Sequence, residues 1–243
     1  MAGGSARPGA AFFDVDETLV RVKSMFSFLR FHLARRGEPD GTYDRLTAGL
    51  HRDAARGVPR AEINRNYYRL YAGERRSELA ETGRAWFDAL LTDGDVFLGE
   101  TVARLERHKE RGEFVVLLSG SFHACLDPVL EHLGADWAIG TRPVARDGVL
   151  TGEVVTPMIG AAKGRAARAV AAVRGLDPAA CTAYGDHGTD ADLLAFAGKA
   201  VVVGDDPVLA EHAARLGWER LATAPAAAPA PALAPAPAAS GIR

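Results

Sequence analysis

One short stretch near the N-terminus, an apolar run that ends in two acids, restricts the fold of this chain most strongly. Residues 11–20 read AFFDVDETLV. The run at residues 11–13 is typical of a buried central strand. A buried carboxylate is costly unless it is paired, and open α/β sheets bind ligands at the carboxyl ends of their strands. We therefore interpret Asp14 and Asp16 as a functional pair at a sheet edge, with an Asp-rich turn as the alternative.

After this strand, the sequence shows no strand pattern for about 70 residues, far longer than an ordinary connection. Apolar residues recur at helical spacing instead, with Gly and Pro at the ends of the segments. We predict four helices, at residues 22–36, 43–56, 59–71 and 77–91. A sheet protein with such a pause contains an inserted helical domain, which we assign to residues 21–94.

Strands and helices then alternate from residue 95 to residue 221. Residues 114–118 read FVVLL, a continuous apolar run typical of a strand buried on both faces. The alternation predicts an α/β, Rossmann-like core with a parallel sheet and helices on both faces. Further strands are predicted at residues 137–139, 182–184 and 200–203 (the last clear strand), a hairpin around Asp147 and Gly148, and helices at residues 96–111, 123–133, 161–174, 190–196 and 207–216.

Charge, hydropathy and cysteine content indicate which binding partners and which compartment to expect. A net charge of -2 gives no electrostatic argument for a nucleic-acid or membrane partner. The sequence has neither a bilayer-spanning apolar stretch of roughly 20 residues nor a hydrophobic signal core, so we expect a cytoplasmic protein. Cys125 and Cys181 lack metal-ligand spacing and are expected to be buried thiols. Residues 222–243, nearly all Ala and Pro, predict a disordered tail.

Three further polar stretches follow strands or open helices. A Ser-Gly-Ser loop begins at Ser119, where a hydroxyl and free amides at a helix entrance can bind an anion. Lys163 opens a predicted helix and can neutralise charge beside a phosphate, with Arg165 as the nearby alternative. Asp186 and Asp190 follow a short strand and offer the oxygen ligands that Mg²⁺ prefers. Each stretch alone is also compatible with an ordinary loop or surface.

Taken in order, the four stretches resemble motifs I to IV of the haloacid dehalogenase-like (HAD) superfamily of aspartate-nucleophile phosphohydrolases. The resemblance covers about residues 11–220 and implies a HAD core formed by residues 1–20 and 95–221. The helical segment 21–94 is similar to the C1-type cap of the phosphoserine-phosphatase-like branch, subfamily IB. Such a cap can close over the site and exclude water.

The resemblance also implies the catalytic roles. Asp14 would be the nucleophile that forms an aspartyl-phosphate. Asp16 would protonate the leaving alcohol and later deprotonate the attacking water. Ser119 would donate to the transferring phosphoryl group, and Lys163 would neutralise its charge. Family members that cleave carbon–halogen bonds lack the second acid, so the Asp14–Asp16 pair favours phosphoryl chemistry.

A magnesium site and a substrate site follow from the same resemblance. Mg²⁺ would be bound by the two strand-end acids, the second through its backbone carbonyl, and by Asp186. Asp190 would bind the ion directly or hold a ligand water. Thr18 and Gly120 are expected to contact the substrate. His187 and Asp192 depart from the usual fourth motif, and we assign neither to catalysis.

Lys23 indicates which substrates to expect. Phosphoserine phosphatases carry a Glu nine positions after the nucleophile, where it contacts the substrate amine, and this chain has Lys23 there. A lysine would repel an ammonium group and attract an anion. We therefore expect Lys23 to bind a small phosphomonoester other than phosphoserine, although a solvated lysine at a helix start is the alternative. Tyr67, Tyr68 and Tyr71 are interpreted as packing between helices rather than a substrate cage.

These inferences predict a phosphoric monoester hydrolase that depends on Mg²⁺ and acts on a small molecule. Two alternatives stay open at this point. A phosphotransferase or mutase would return the phosphoryl group from the same aspartate to another hydroxyl. A non-catalytic member of the family would use the site for binding only, although the intact set of four motifs argues against that alternative.

Overall fold

A six-stranded parallel sheet forms the centre of the computed structural model, which describes residues 9–223. The strands of the molecule are β1 (Ala10–Asp14), β2 (Phe114–Ser119), β3 (Trp137–Gly140), β4 (Pro143–Arg146), β5 (Val149–Val154), β6 (Thr182–Gly185), β7 (Lys199–Val203) and β8 (Glu219–Leu221). The sheet order is β3-β2-β1-β6-β7-β8, while β4 and β5 form a separate antiparallel hairpin. The predicted disordered tail lies outside the described residues from residue 224 onward.

Both faces of the sheet are covered by helices, which confirms the predicted fold class. The helices are α1 (Ser24–Arg35), α2 (Thr42–Ala55), α3 (Arg60–Tyr68), α4 (Arg76–Asp93), α5 (Gly99–Glu110), α6 (His123–Leu133), α7 (Ala161–Arg174), α8 (Ala191–Leu194) and α9 (Pro207–Leu216). One core contains side chains of α1, α4, α5 and α6, and the other contains side chains of α7, α8 and α9.

The central strand β1 shows why its sequence is apolar at every position before the acid. Ala11 and Phe13 enter the first core, whereas Ala10 and Phe12 enter the second. Successive side chains of a strand point to opposite faces, so a strand covered on both sides needs apolar residues throughout. All five residues of β1 are buried, including Asp14 at its end.

Two details of the predicted element order are corrected by the structure. Residues 200–203 are not the last strand, because β8 pairs in parallel with β7 at the sheet edge. Its three residues are Glu, Arg and Leu, and only the Leu is buried, so a short charged edge strand leaves little apolar pattern. Helix α5 begins at Gly99 rather than at residue 96, because Phe97 forms a β-bridge with Val20 and Leu98 donates to the Leu19 carbonyl.

An aromatic cluster attaches helices α1, α3 and α4 to the core. Tyr67, Tyr68 and Tyr71 are each at most 1 % exposed. Tyr68 and Tyr71 pack on Phe122, Tyr71 also packs on Phe28, and Tyr67 packs on Tyr68. The Tyr67 hydroxyl forms hydrogen bonds with the Met25 carbonyl, at 2.5 Å, and with the Tyr71 hydroxyl, at 2.7 Å. The three tyrosines therefore pack between elements, as the sequence favoured.

Two composition-based points can be compared with the structure. Among residues 9–223, no helix combines the length and apolar character that crossing a membrane requires. Cys125 and Cys181 are both buried as free thiols, as predicted.

Candidate active site

The register of the parallel strands brings the polar stretches to one edge of the sheet. Phe13 lies opposite both Leu117 and Tyr184, so the chain leaves β1, β2 and β6 at the same level. Asp14 and Ser119 are the last residues of β1 and β2, and Asp186 directly follows β6. This edge is where open α/β sheets bind ligands.

Lys163 connects two of the acids. Its Nζ donates to Asp14 Oδ1 at 2.5 Å and to Asp190 Oδ1 at 2.6 Å. Burial alone would lower the pKa of Lys163, but the two carboxylates outweigh it and the pKa is raised above its ordinary value. The lysine is only 4 % exposed, whereas Arg165 on the same helix is exposed. The structure therefore brings Lys163, and not Arg165, into the acidic cluster.

Asp186 completes a cluster of three carboxylates. Burial, together with the charge of Asp14, raises the pKa of Asp186 to about 9. Asp14, Asp186 and Asp190 each offer one oxygen, and these oxygens all lie within 4.8 Å of one another. Thr18, which is fully buried, donates from Oγ1 to Asp186 Oδ1 at 3.0 Å. The donor set consists of hard oxygen ligands, and their mutual repulsion is what a divalent cation relieves, so the residues fit Mg²⁺.

The carboxylate of Asp16 lies at the N-terminus of α1. Its Oδ2 accepts a hydrogen bond from the Ser24 backbone amide at 3.0 Å. Its Oδ1 is buried and has no hydrogen-bond partner among residues 9–223. Burial raises the pKa of Asp16 to about 7, although the bond from Ser24 opposes this shift. A carboxyl group with a pKa near neutrality can both donate and accept a proton at cellular pH.

The loop after β2 is held by side chains from α3. The Gly120 carbonyl accepts from Asn64 Nδ2 at 2.8 Å and from the Tyr68 hydroxyl at 3.1 Å. Within the loop, the Ser121 amide donates to Ser119 Oγ at 3.0 Å. Asn64 is 4 % exposed, and its Oδ1 accepts from Thr141 Oγ1 at 3.1 Å. Sequence reasoning missed this asparagine, because a single Asn in a helix carries no distinctive pattern.

These elements enclose a small cavity of about 80 Å³, enough for a few water molecules. Every predicted site residue except Thr18 lines it, and Thr18 lies behind Asp186. The lining residues are Asp14, Asp16, Glu17, Lys23, Met25, Phe26, Arg60, Ser119, Gly120, Ile159, Lys163, Asp186, His187, Thr189 and Asp190. The structure therefore gathers the four sequence stretches around one space and covers it with residues of α1 and α3.

Charged residues surround the cavity beyond the acidic cluster. The Lys23 side chain is 57 % exposed, and its Nζ lies 3.4 Å from Glu17 Oε2. Arg60, the first residue of α3, contributes a second cation. Sequence reasoning missed Glu17 and Arg60, since neither belongs to a recognisable spacing. Lys23 is thus one member of a small charged group rather than an isolated cation.

The two residues that depart from the fourth motif have different surroundings. The His187 side chain lines the cavity, and its Nδ1 accepts from the Thr189 amide at 3.0 Å. The His187 amide donates to Asp190 Oδ2 at 3.3 Å, so the turn holds that carboxylate in place. Burial, with the charge of Arg60, lowers the pKa of His187. Asp192 is exposed and lies outside the cavity lining.

Comparisons with known proteins place this geometry among related chains. Residues 11–195 match the haloacid dehalogenase-like hydrolase family. A Streptomyces azureus protein named "Inhibition of morphological differentiation protein" is 31% identical over 218 residues, covering 86% of this chain and 76% of the relative. The Mycobacterium tuberculosis protein named phosphoserine phosphatase SerB1 is 30% identical over 234 residues, covering 90% and 73%.

A solved structure from Bordetella pertussis Tohama I, described as a protein with unknown function, is also similar. It superposes with a TM-score of 0.76 at 25% sequence identity, covering 89% of this chain and 99% of the other. The likeness therefore extends over nearly the whole described fold, including helices α1–α4.

Proposed function

The chain belongs to the haloacid dehalogenase-like hydrolase family, and from this premise we propose that it is a Mg²⁺-dependent phosphatase of small phosphomonoesters. The observation that carries the proposal is the buried cluster of Asp14, Lys163, Asp186 and Asp190 around one cavity. Relatives named as phosphatases support hydrolysis of a phosphoric monoester.

The proposed first step uses Asp14, at the end of β1, and Asp16, two residues further on. An Asp14 oxygen attacks phosphorus, forming an aspartyl-phosphate, while the bond from phosphorus to the ester oxygen breaks. Asp16 gives its proton to the departing alcohol. Lys163 neutralises charge on the transferring group, and Ser119 donates a hydrogen bond to one of its oxygens.

In the second step, water replaces the alcohol. Asp16, now deprotonated, takes a proton from a water that attacks the phosphorus, and the bond to Asp14 breaks with release of phosphate. The raised pKa of Asp16 is consistent with its acting in both directions. The same residue thus acts as acid first and as base later.

Asp14, Asp186 and Asp190, with the Asp16 backbone carbonyl, would hold Mg²⁺. When bound, the ion supplies positive charge that lets a carboxylate approach an anionic phosphate. Thr18 would orient Asp186 through its hydrogen bond, which gives this residue a positioning role.

We propose that residues 21–94 serve as a cap on a core formed by residues 1–20 and 95–221. Arg60 from α3 and Met25 from α1 reach the cavity, and Asn64 reaches the Gly120 carbonyl. A cavity of about 80 Å³ under these contacts corresponds to a closed arrangement. Substrate entry then requires the cap to move away from the loop at Gly120.

The proposed substrate is a small phosphomonoester that carries an anion or hydroxyl groups rather than an amine. Lys23 and Arg60 both line the cavity and would repel an ammonium group. Two observations favour phosphoserine instead: Glu17 pairs with Lys23, and a relative carries the name phosphoserine phosphatase. A kcat/KM for phosphoserine above that of every sugar and carboxylate phosphate in a panel would overturn this choice.

A phosphate-release screen over diverse phosphomonoesters tests the function. Release is expected with Mg²⁺ and no added acceptor, and it should stop after addition of EDTA. The Asp186→Asn variant should require much more Mg²⁺ for the same rate. If the ester is consumed only when a second alcohol is present, and that alcohol becomes phosphorylated without release of phosphate, the enzyme is a phosphotransferase. If no ester is turned over, the chain uses the site for binding.

A further inference from the structure

A second cavity, of about 510 Å³, lies outside the site at Asp14. It is bordered by the first residues of α4 and α6, the end of β3 and the hairpin of β4 and β5. No residue that lines the first cavity also lines this one. It is several times larger than the space at Asp14, so it accepts a molecule of some size.

Two arginines line this cavity. Arg76 is the first residue of α4, and Arg142 follows β3. Within residues 9–223, neither guanidinium forms a hydrogen bond or an ion pair. Asp127 also lines the cavity, and Arg76 lies close enough to influence its charge. The three charges sum to one net positive charge at the cavity.

A histidine at the cavity has an unused ring nitrogen. His123 is the first residue of α6, and its Nε2 is buried with no hydrogen-bond partner in the described part of the chain. Burial, with the nearby charge of Arg76, lowers the pKa of His123 to about 4, so the ring is neutral at pH 7. This nitrogen has almost no accessible surface, so His123 contributes a neutral ring to the cavity wall rather than a donor to a ligand.

Apolar residues lie between the charged groups of the lining. Ile139 is half-buried and Val155 is exposed, and both line the cavity, while Leu126 and Leu150 are buried beneath it. The cavity thus presents aliphatic surface beside charged groups, which suits a ligand with both kinds of surface.

We propose that this second cavity binds a small organic monoanion with an apolar body. Its anionic head contacts Arg76 and Arg142, and its body packs on Ile139 and Val155. Guanidinium groups hold carboxylate, sulfonate and phosphate oxygens through paired hydrogen bonds, so the shared chemistry is an oxyanion on an apolar frame. The site is separate from the chemistry at Asp14 and does not depend on the proposed phosphatase activity.

Fluorescence titration with 1-anilinonaphthalene-8-sulfonate tests the proposal, because the probe combines a sulfonate with an aromatic body. The uncharged analogue N-phenyl-1-naphthylamine measures the apolar contribution alone. We expect saturable binding of the sulfonate probe, weakened about tenfold or more in the double variant Arg76→Ala/Arg142→Ala. Binding of the uncharged analogue should change little.

A matched control removes the same charge from nearby positions in the chain. Arg75 and Arg146 are exposed and do not line the cavity, so Arg75→Ala/Arg146→Ala should bind the probe like the wild type. Asp14→Asn should also leave binding unchanged, which separates this site from the acidic cavity. Circular dichroism confirms that the variants fold. Equal weakening in both arginine pairs, or equal loss of both probes, would overturn the proposal.

Discussion

The two cavities of this protein handle charge in opposite ways. In the cavity at Asp14, Lys163 is buried and donates to Asp14 and Asp190 within hydrogen-bond distance. In the second cavity, Arg76 and Arg142 are exposed, and neither guanidinium forms a hydrogen bond or an ion pair among the described residues. The first arrangement is pre-organised, because its charges are fixed before any ligand arrives. The second leaves its charges available to an incoming anion.

The largest difference is expected from the same substitution made in each cavity. Asp14→Asn should lower phosphate release by about 10⁴-fold, because an amide cannot act as the nucleophile. Asp127→Asn, in the second cavity, should keep the rate within about twofold of the wild type. The measurement is kcat/KM for p-nitrophenyl phosphate at saturating Mg²⁺. Comparable losses in both variants would remove the distinction between the two cavities.

Replacing a cation in each of the two cavities should change the free energy of unfolding by different amounts. Lys163→Met should lower the free energy of unfolding by about 3 kcal/mol, since it leaves buried carboxylates without their partner. Arg76→Met, at an exposed position, should change it by less than about 0.5 kcal/mol. Urea unfolding at pH 7 in EDTA measures both. A loss for Arg76→Met as large as that for Lys163→Met would show that the second cavity also depends on its charge.

Thr141 joins the two regions and should give an intermediate effect. It lines the second cavity, its Oγ1 donates to Asn64 and accepts from the Met158 amide at 3.0 Å, and its amide donates to the Ser121 carbonyl. Thr141→Val should cost about 1–2 kcal/mol of unfolding free energy, because two buried polar groups lose a partner. Thr141→Ser retains the hydroxyl and should cost less. A larger cost for Thr141→Ser than for Thr141→Val would show that the methyl group, not the hydrogen bonds, matters here.

The smallest expected effect is a pH dependence of stability at His123. Its folded pKa of about 4 lies below the value of roughly 6.5 for an unfolded histidine, so the unfolded state binds more protons between these values. The contribution of the neutral His123 ring to the free energy of unfolding is therefore complete above pH 6.5 and decreases as the pH falls toward 4. From pH 7 to pH 6, the wild type should lose roughly 0.5 kcal/mol more than His123→Gln, after allowance for solvent screening of the half-buried ring.

Urea unfolding of the two proteins at both pH values measures this difference. The variant His51→Gln removes an exposed imidazole from α2 and serves as the control. It should lose the same unfolding free energy as the wild type between the two pH values. A wild type and His123→Gln that lose the same free energy would contradict the prediction.

The contrast between the cavities also explains what the sequence revealed. Asp14, Ser119 and Asp186 follow apolar strands, and Lys163 opens a helix, so their positions stand out from the local pattern. The parallel sheet then brings them together with little further information. The core and the main helices were predictable for the same reason, because apolar periodicity marks them.

The residues that the sequence did not reveal lie where no local pattern marks them. Arg60 and Asn64 reach the cavity from α3 through the packing of one layer on another. The second cavity draws single residues from α4, α6 and the segment after β3, each ordinary in its own segment. Strand β8 escaped prediction because its pairing at the sheet edge does not require apolar residues. Such features arise from tertiary contacts, which one sequence does not encode in a readable spacing.

The hydrogen bonds to the Gly120 carbonyl are expected to affect the turnover rate. It belongs to the loop that lines the cavity, and it accepts hydrogen bonds from two side chains of α3. Each departure of α3 exchanges both bonds for water, at a net cost of about 0.5–1.5 kcal/mol per bond. Opening of the proposed cap therefore has a free-energy cost, and in the proposed mechanism release of the alcohol depends on that opening. Tyr68→Phe removes one of these hydrogen bonds, so we expect both kcat and KM of this variant to be higher than those of the wild type.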